Sequence, residues 1–223
     1  MNSTIKTLLK KTFVYRILKG LRARKERKVI LALQEQEMRQ WEANGRPAPS
    51  PHILKQKTIA DYAKRFSLQI LIETGTYHGD MVEAMKNNFT RIFSIELGEN
   101  LHQQAKERFH NNAHISIIHG DSGEILPGIL GDIKQPCLFW LDGHYSGGIT
   151  AKGETDTPVV EELEHILSHP VTEHVILIDD ARCFVGQDHY PTIEELKDMI
   201  LKRRPGWVFE AEDDIIRIHQ RRN

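Results

Sequence analysis

The chain has 223 residues, of which 39% are hydrophobic and 27% charged, a size and balance that suit one α/β domain with an appendage. Its formal net charge of −1 disfavours a nucleic-acid partner. No apolar run approaches the roughly 18 residues of a membrane span, no secretory signal is evident, and Cys137 and Cys183 lie outside any CxxC pair, so we expect reduced thiols and a cytoplasmic protein.

The first part of the chain is strongly basic. Residues 1–28 carry ten lysines or arginines and one acid, a net charge of +9 that leaves −10 for the rest. Apolar side chains recur at four-residue steps from Ile5 onward, which predicts a basic amphipathic helix over 4–43. Three prolines then follow within five residues. We therefore predict a helical extension (1–45), a proline-rich linker (46–57) and a main domain (58–223).

Three kinds of partner suit this basic extension. Its apolar face favours packing on the rest of the chain or on a second copy, which would make a homo-oligomer and leave the lysines solvated. The positive charge of residues 1–28 is also compatible with peripheral contact to an anionic membrane. A nucleic-acid contact is the third alternative, and the net charge of the whole chain disfavours it.

Beyond the linker, short apolar runs alternate with helical patterns. This alternation predicts a parallel sheet that is covered by helices on both faces, closed by an antiparallel hairpin because the last two strands are joined by a short connection. The predicted strands are 68–73, 91–96, 115–119, 137–142, 174–179, 207–210 and 215–219, and the predicted helices are 58–65, 80–87, 100–109, 124–130, 157–168 and 193–202.

Open parallel sheets bind ligands at the carboxyl ends of their strands. The first predicted strand ends at Glu73, and Gly75 and Gly79 follow, which allows a tight turn and a close approach of the backbone to a ligand. Glu96 ends the second strand, 23 residues after Glu73, where a carboxylate would accept two hydroxyl groups of a ribose. The alternatives are two ordinary turn glycines and an acid that faces solvent or a helix N-terminus.

The third strand is followed by Asp121 and Ser122. An acid at this position would accept a hydrogen bond from the exocyclic amine of an adenine. An Asp or Ser before a helix also caps the helix N-terminus, and the two roles are compatible.

Three aspartates follow the fourth and fifth strands. Asp142 ends one strand, and Asp179 and Asp180 end the next, so we expect the three carboxylates to converge. Like charges this close need a cation or a proton between them, and their oxygens suit Mg²⁺. The alternative is that one aspartate caps the following segment and another faces water.

The segment after Asp142 supplies candidate residues for an acceptor molecule. His144 is placed to take a proton from an acceptor hydroxyl, although a surface histidine is the simpler alternative in a chain with twelve histidines. Residues 146–157 contain three glycines and suit either an acceptor-binding loop or a plain crossover. Within this region, Tyr145 and Lys152 are the candidate substrate contacts, with Lys152 available for an anionic group.

The first turn resembles motif I of the class I S-adenosylmethionine-dependent methyltransferases, with Tyr77 in place of the central glycine of an acidic-x-Gly-x-Gly-x-Gly pattern. The resemblance covers about residues 58–220, and the closing hairpin matches the antiparallel seventh strand of the class. It therefore implies a Rossmann-like, mostly parallel seven-stranded sheet. It also implies that the cofactor contacts are Glu73, Gly75, Thr76, Gly79, Glu96 for the ribose, Asp121 and Ser122 for the adenine, and Asp142.

Within that class, Asp142, Asp179 and Asp180 resemble the Mg²⁺ ligands of the macrocin-type sugar O-methyltransferases. The resemblance implies methyl transfer to a hydroxyl group of a sugar, glycan or other small molecule, with Asp142 and His144 as catalytic residues and Mg²⁺ lowering the pKa of the acceptor hydroxyl. A NAD-dependent oxidoreductase is also compatible with the glycine turn and Glu96. A non-catalytic module that binds a partner through the basic helix is the third hypothesis.

Overall fold

The computed structural model describes residues 28–143 and 157–221. The chain divides between Pro47 and Ala48 into two units. In the first unit, residues 28–43 are helical and are termed α1, which confirms this part of the predicted helix. The indole nitrogen of Trp41 in α1 donates a hydrogen bond to the carbonyl oxygen of Pro47, after the helix, at 2.7 Å. Residues 1–27 of the predicted basic helix lie outside the described residues.

The second unit is an α/β domain whose predicted elements are all present. Apart from the start of the first helix, the predicted boundaries agree with the observed ones to within two residues. The strands are β1 Ile70–Thr74, β2 Arg91–Glu96, β3 Ile115–His119, β4 Leu138–Leu141, β5 Val175–Ile178, β6 Trp207–Glu212 and β7 Ile215–Gln220. The helices are α2 His52–Phe66, α3 Asp80–Met85, α4 Glu99–Phe109, α5 Ser122–Asp132, α6 Val159–Ser168 and α7 Ile193–Arg203, with a 3-10 turn at Ala181–Cys183.

Helix α2 begins at His52, six residues before the predicted start at residue 58. Residues 52–57, which the sequence analysis assigned to the linker, are therefore helical. Pro51 stands at the N-cap with a φ of −60°. A proline is tolerated at this end of a helix because the first N–H groups have no partner within the helix. The prolines thus end directly at a helix, and the prediction extended the linker too far.

The strand order β3-β2-β1-β4-β5-β7-β6 confirms the Rossmann-like prediction. Strands β1 to β5 are parallel, whereas β7 is antiparallel to β5 and β6 is antiparallel to β7. The chain order reverses between β1 and β4, because β2 and β3 lie on one side of β1 and β5 lies on the other side of β4. Ligand crevices of open α/β sheets form at this reversal, outside the carboxyl ends of the strands.

The core lies on both faces of the sheet. Successive side chains of a strand point to opposite faces, so Phe139 packs with Leu163 of α6 while Trp140 packs in the other layer with Ile59 of α2. Every residue of β4 and β5 is buried, as expected for parallel strands that are covered on both sides. This packing holds the ends of β1, β4 and β5 in a fixed arrangement. Among the described residues, no helix combines the length and the apolar content needed to cross a membrane.

Candidate functional site

The turn after β1 passes directly against the end of β4. Gly75 has a φ of +84°, and a Cβ atom built on it would lie 2.4 Å from the carbonyl oxygen of Asp142. The amides of Gly75 and Thr76 both donate to the carbonyl oxygen of Ile95 in β2, at 2.9 and 3.2 Å. Position 75 therefore requires glycine both for its backbone conformation and for the contact between two strand ends.

Tyr77 occupies the position of the missing central glycine and adopts the left-handed conformation with a φ of +49°. Its ring is exposed and lies 4.0 Å from the ring of His78, measured between ring centres. Gly79 has a φ of +77°, and an added Cβ atom would lie 2.7 Å from the ring of Phe109. Tyr77 thus adopts the left-handed backbone conformation that a glycine adopts most easily. The absence of a side chain at Gly79 leaves space for the ring of Phe109 in α4.

Glu96 links this turn to the end of β2. Its carboxylate accepts a hydrogen bond from the amide of Tyr77 at 2.7 Å and a second from the amide of Gly98 at 2.8 Å. Each oxygen takes one of these bonds, so each has further capacity to accept a hydroxyl group. The side chain is buried. The geometry is compatible with the predicted contact to a ribose diol.

Glu73 and Thr76 form a buried hydrogen-bond chain through Ser94. The hydroxyl of Ser94 donates to the carboxylate of Glu73, and it lies 2.5 Å from the hydroxyl of Thr76. Because Ser94 has a single hydroxyl hydrogen, Thr76 donates to Ser94. Burial raises the pKa of Glu73 to about 8, although the bond from Ser94 opposes the shift. These side chains stabilise the turn from within, and a direct contact to a cofactor stays a prediction.

Asp121 caps helix α5. Its side chain accepts a hydrogen bond from the amide of Gly123 at 2.9 Å, which confirms the capping role considered for this position. Ser122 is buried at the first turn of the same helix. The predicted contact of these two residues with an adenine remains a prediction.

The acid cluster at the ends of β4 and β5 contains a cation supplied by the chain itself. The ammonium of Lys55 on α2 lies 2.5 Å from Oδ2 of Asp179 and 3.5 Å from Oδ1 of Asp180. Burial alone would lower the pKa of Lys55, but the charges of Asp179, Asp180 and Asp142 raise it above its ordinary value. The lysine is therefore charged at neutral pH.

Asp179 and Asp180 have further donors within the chain. The amide of Asp180 donates to Oδ1 of Asp179 at 2.8 Å, so both oxygens of Asp179 accept hydrogen bonds. Oδ1 of Asp180 accepts a bond from the guanidinium of Arg182 at 2.7 Å, and Arg182 also pairs with Asp214. Asp180 has a φ of +55°, an unusual backbone conformation for a residue other than glycine.

These residues do not fit the predicted Mg²⁺ site. Mg²⁺ binds oxygen ligands at about 2.1 Å around a centre that must be free for the ion. Here, the ammonium of Lys55 occupies the space beside Asp179 and Asp180. Within residues 28–143 and 157–221, no three His, Cys, Asp or Glu side chains are arranged to hold a metal. Lys55 is absent from the predicted site residues because it falls in the predicted linker, and the sequence signal that points to it is a helix start directly after Pro51.

A second buried acid was also missed. Glu162 of α6 is 1% exposed and lines a pocket with Asp142, Gly143 and Tyr190. Oε1 of Glu162 and the hydroxyl oxygen of Thr74 are buried, and neither makes a hydrogen bond of ordinary geometry in the described structure. Burial raises the pKa of Glu162 to about 7, although the hydroxyl groups of Ser122 and Thr74 lie near enough to oppose the shift. Buried polar atoms of this kind call for a further partner, such as an ordered water, an ion or a ligand. The sequence signal was an acid on the apolar face of a helix.

Three predicted site residues cannot be placed against this geometry. His144, Tyr145 and Lys152 fall in 144–156, outside the described residues. Their assigned roles as proton acceptor and substrate contacts therefore stay predictions. The described part of the site consists of the Gly75 turn, Glu96, the Lys55–aspartate cluster and the pocket at Glu162.

Comparison with known proteins identifies the fold and no closer relationship. No protein-family model matches the sequence, and no curated protein matches it significantly. Solved structures match over most of the chain at 13% sequence identity and a TM-score of 0.56 in each of three cases. They are the O-methyltransferase TomG of Streptomyces achromogenes, in complex with SAM (83% of this chain, 88% of that chain), an O-methyltransferase of Bacillus cereus, in complex with SAH (83% and 90%), and the SAH-bound methyltransferase PaMTH1 of Podospora anserina (83% and 88%).

Proposed function

We propose that this protein is an S-adenosylmethionine-dependent O-methyltransferase that acts on a hydroxyl group of a sugar, glycan or other small molecule. The observation that carries the proposal is the turn at Gly75, which lies at the reversal of strand order and is hydrogen-bonded to Glu96. Structures of the same fold that contain SAM or SAH support the choice of cofactor. The antiparallel β7 beside β5 favours this class over a dehydrogenase.

The residues at the strand reversal suit the parts of this cofactor. Glu96 has acceptor capacity left for the two ribose hydroxyls after binding two backbone amides. Gly75 lets the turn after β1 pack directly against the end of β4, where a side chain would overlap the backbone of Asp142. Oε1 of Glu162 and the hydroxyl oxygen of Thr74 would accept a donor from a ligand beside Asp142. The adenine would lie by Asp121 and Ser122.

The bound cofactor would supply an electrophilic methyl group. The chain must then hold the acceptor oxygen in line with that methyl group and keep water out, which accounts for most of the rate of such a transfer. We assign the acceptor proton to His144 and acceptor contacts to Tyr145 and Lys152. Mg²⁺ has no role in the proposed transfer, because the ammonium of Lys55 lies where the ion would bind.

Isothermal titration with S-adenosylhomocysteine tests the cofactor assignment. We expect the wild type to bind one equivalent, and Glu96→Gln to bind at least about tenfold more weakly, since the lost acceptor bonds of a charged group contribute upwards of 1.4 kcal/mol. Glu99→Gln is the matched control, because Glu99 is an exposed acid three residues further along the chain. Its affinity should stay within about twofold of the wild type.

Two results would overturn this assignment. A folded wild-type protein that does not bind S-adenosylhomocysteine would contradict the methyltransferase proposal. Binding of NAD by the same protein would then favour the oxidoreductase alternative, in which Glu96 also holds a ribose. Equal losses in Glu96→Gln and Glu99→Gln would show that the effect of Glu96 is not specific.

A further inference from the structure

We propose that Lys55 is the built-in cation of the aspartate cluster, so that this site is balanced by an ammonium and an arginine instead of a divalent metal ion. The inference concerns the same site as the proposed function. It does not depend on the identity of the cofactor, because it is tested by metal binding alone.

The ammonium of Lys55 occupies the space that a metal ion would need. Nζ of Lys55 lies 2.5 Å from Asp179 and 3.5 Å from Asp180. A Mg²⁺ ion that bound these oxygens at about 2.1 Å would lie within the same space. Because both cations are positive, each excludes the other from the cluster. Metal binding would therefore require the side chain of Lys55 to leave.

Moving the side chain of Lys55 away from the aspartates is unfavourable. Its side chain is only 14% exposed, and that of Asp179 is only 2% exposed. A buried ion pair that loses one partner leaves an uncompensated charge, which is strongly unfavourable. The helix that carries Lys55 is itself held in the core by Ile59 and Ala63, one and two turns further along. Lys55 is thus presented to the cluster from a fixed element.

Asp179 and Asp180 already have partners within the chain. Asp179 accepts a bond from Lys55 on one oxygen and from the amide of Asp180 on the other. Asp180 pairs with Arg182 at 2.7 Å. Lys55 and Arg182 thus each bring a positive charge to these two carboxylates, and Arg182 shares its charge with Asp214. Burial and the charges of Asp142 and Asp180 still raise the pKa of Asp179 to about 7, while Lys55 opposes the shift.

The test is a Mn²⁺ titration of the full-length protein followed by electron paramagnetic resonance, with Mg²⁺ competition. We expect the wild type to show no saturable site at the cluster. We expect Lys55→Met, which keeps the length of the side chain and removes its charge, to bind one Mn²⁺ at least about tenfold more tightly than the wild type, since the freed carboxylates are hard oxygen ligands. Lys55→Met/Asp179→Asn should lose this gain.

Two matched variants control for charge and for helix position. Lys55→Arg keeps the positive charge and should not gain Mn²⁺ binding. Lys57→Met removes an exposed lysine from the same helix and should behave as the wild type. Circular dichroism and thermal unfolding establish that each variant is folded.

Several outcomes would overturn the proposal. A saturable Mn²⁺ site in the wild type that Asp179→Asn abolishes would show that Lys55 yields to a metal. A folded Lys55→Met that gains no Mn²⁺ binding would show that the cluster is not a latent metal site. Should Lys55→Met fail to fold, the wild-type titration decides alone. Because the S-adenosylhomocysteine titration needs no metal, failure of this proposal and failure of the proposed function are distinguishable.

Discussion

At the scale of single residues, the turn after β1 depends on one glycine. Gly75 combines a φ of +84° with a distance of 2.4 Å between its hypothetical Cβ atom and the carbonyl oxygen of Asp142. The neighbouring atom belongs to backbone, so it does not move aside as a flexible side chain would. A methyl group at this position must therefore displace the end of β4 from the turn.

We predict that Gly75→Ala lowers the free energy of unfolding by at least about 2 kcal/mol, because it adds a steric overlap to an unfavourable backbone conformation. Urea unfolding measures this loss, and titration should show weaker binding of S-adenosylhomocysteine. Gly128→Ala is the control, since Gly128 lies in α5 with no atom within 4 Å of its hypothetical Cβ atom. It should be neutral or stabilise by up to about 1 kcal/mol. Equal destabilisation by the two substitutions would contradict the role of Gly75.

At the scale of elements, two buried histidines form a hydrogen-bond chain at the edge of the sheet opposite the candidate site. This chain links the ends of α5 and α6 with the starts of β4 and β5. Nδ1 of His174 accepts a hydrogen bond from the amide of Cys137 at 3.0 Å. Its Nε2 atom therefore carries the hydrogen and donates to Nδ1 of His169 at 3.0 Å, and Nε2 of His169 donates to the carbonyl oxygen of Leu130 at 3.1 Å. This chain requires a neutral His174.

The neutral His174 makes stability depend on pH. Burial lowers its pKa to about 4, with the neighbouring His169 and Arg204 adding to the shift. Between about pH 6.5 and pH 4, the unfolded chain takes up a proton that the folded chain does not, so stability falls as the pH falls. The contribution of His174 is fully present above pH 6.5.

We predict that the wild type loses about 2 kcal/mol more unfolding free energy between pH 7.5 and pH 5 than His174→Gln, which has no titrating ring. Urea unfolding at the two pH values measures the difference between the two slopes. His110→Gln removes an exposed histidine and controls for the loss of an imidazole ring elsewhere in the chain. Parallel slopes for wild type and His174→Gln would contradict the neutral, buried state of His174.

At the scale of the whole molecule, the α/β domain contains its own core. Both layers of buried side chains are drawn from residues 59–218, and all seven strands lie within that range or within two residues of it. We therefore predict that a variant lacking residues 1–47 folds and keeps the S-adenosylhomocysteine affinity of the full chain within about threefold. Circular dichroism and titration test this. Loss of the folded state would show that the first unit is part of the core.

The basic residues at the start of the chain allow a second comparison with the same variant. If the positive charge of residues 1–28 contacts an anionic membrane, the full chain should co-sediment with vesicles of anionic lipid and the variant lacking residues 1–47 should stay in solution, because each lysine or arginine near such a surface contributes about 1 kcal/mol. High salt should weaken the binding of the full chain. Equal sedimentation of the two proteins would remove the proposed membrane contact.

Much of the fold followed from local pattern. The apolar runs that became β4 and β5 were predicted as buried strands, and the acids and glycines that follow the strands were placed at one edge of the sheet because the strands were predicted to be parallel. The predicted start of α2 is six residues too late because the prolines at 47, 49 and 51 have the pattern of one linker. A proline also suits the end of a helix, and the sequence pattern does not separate the two uses.

The sequence by itself determined the layers of this protein, the position of the glycine turn and the convergence of three aspartates, because hydrophobic periodicity and turn residues act over a few neighbouring positions. Only the tertiary structure decided what satisfies those aspartates. Lys55 forms an ion pair with Asp179, although 124 positions of the chain separate the two residues. Glu162 of α6 and Thr74 of β1 both lie beside Gly143. Such partners depend on the packing of α2 and α6 against the sheet, which no local pattern specifies.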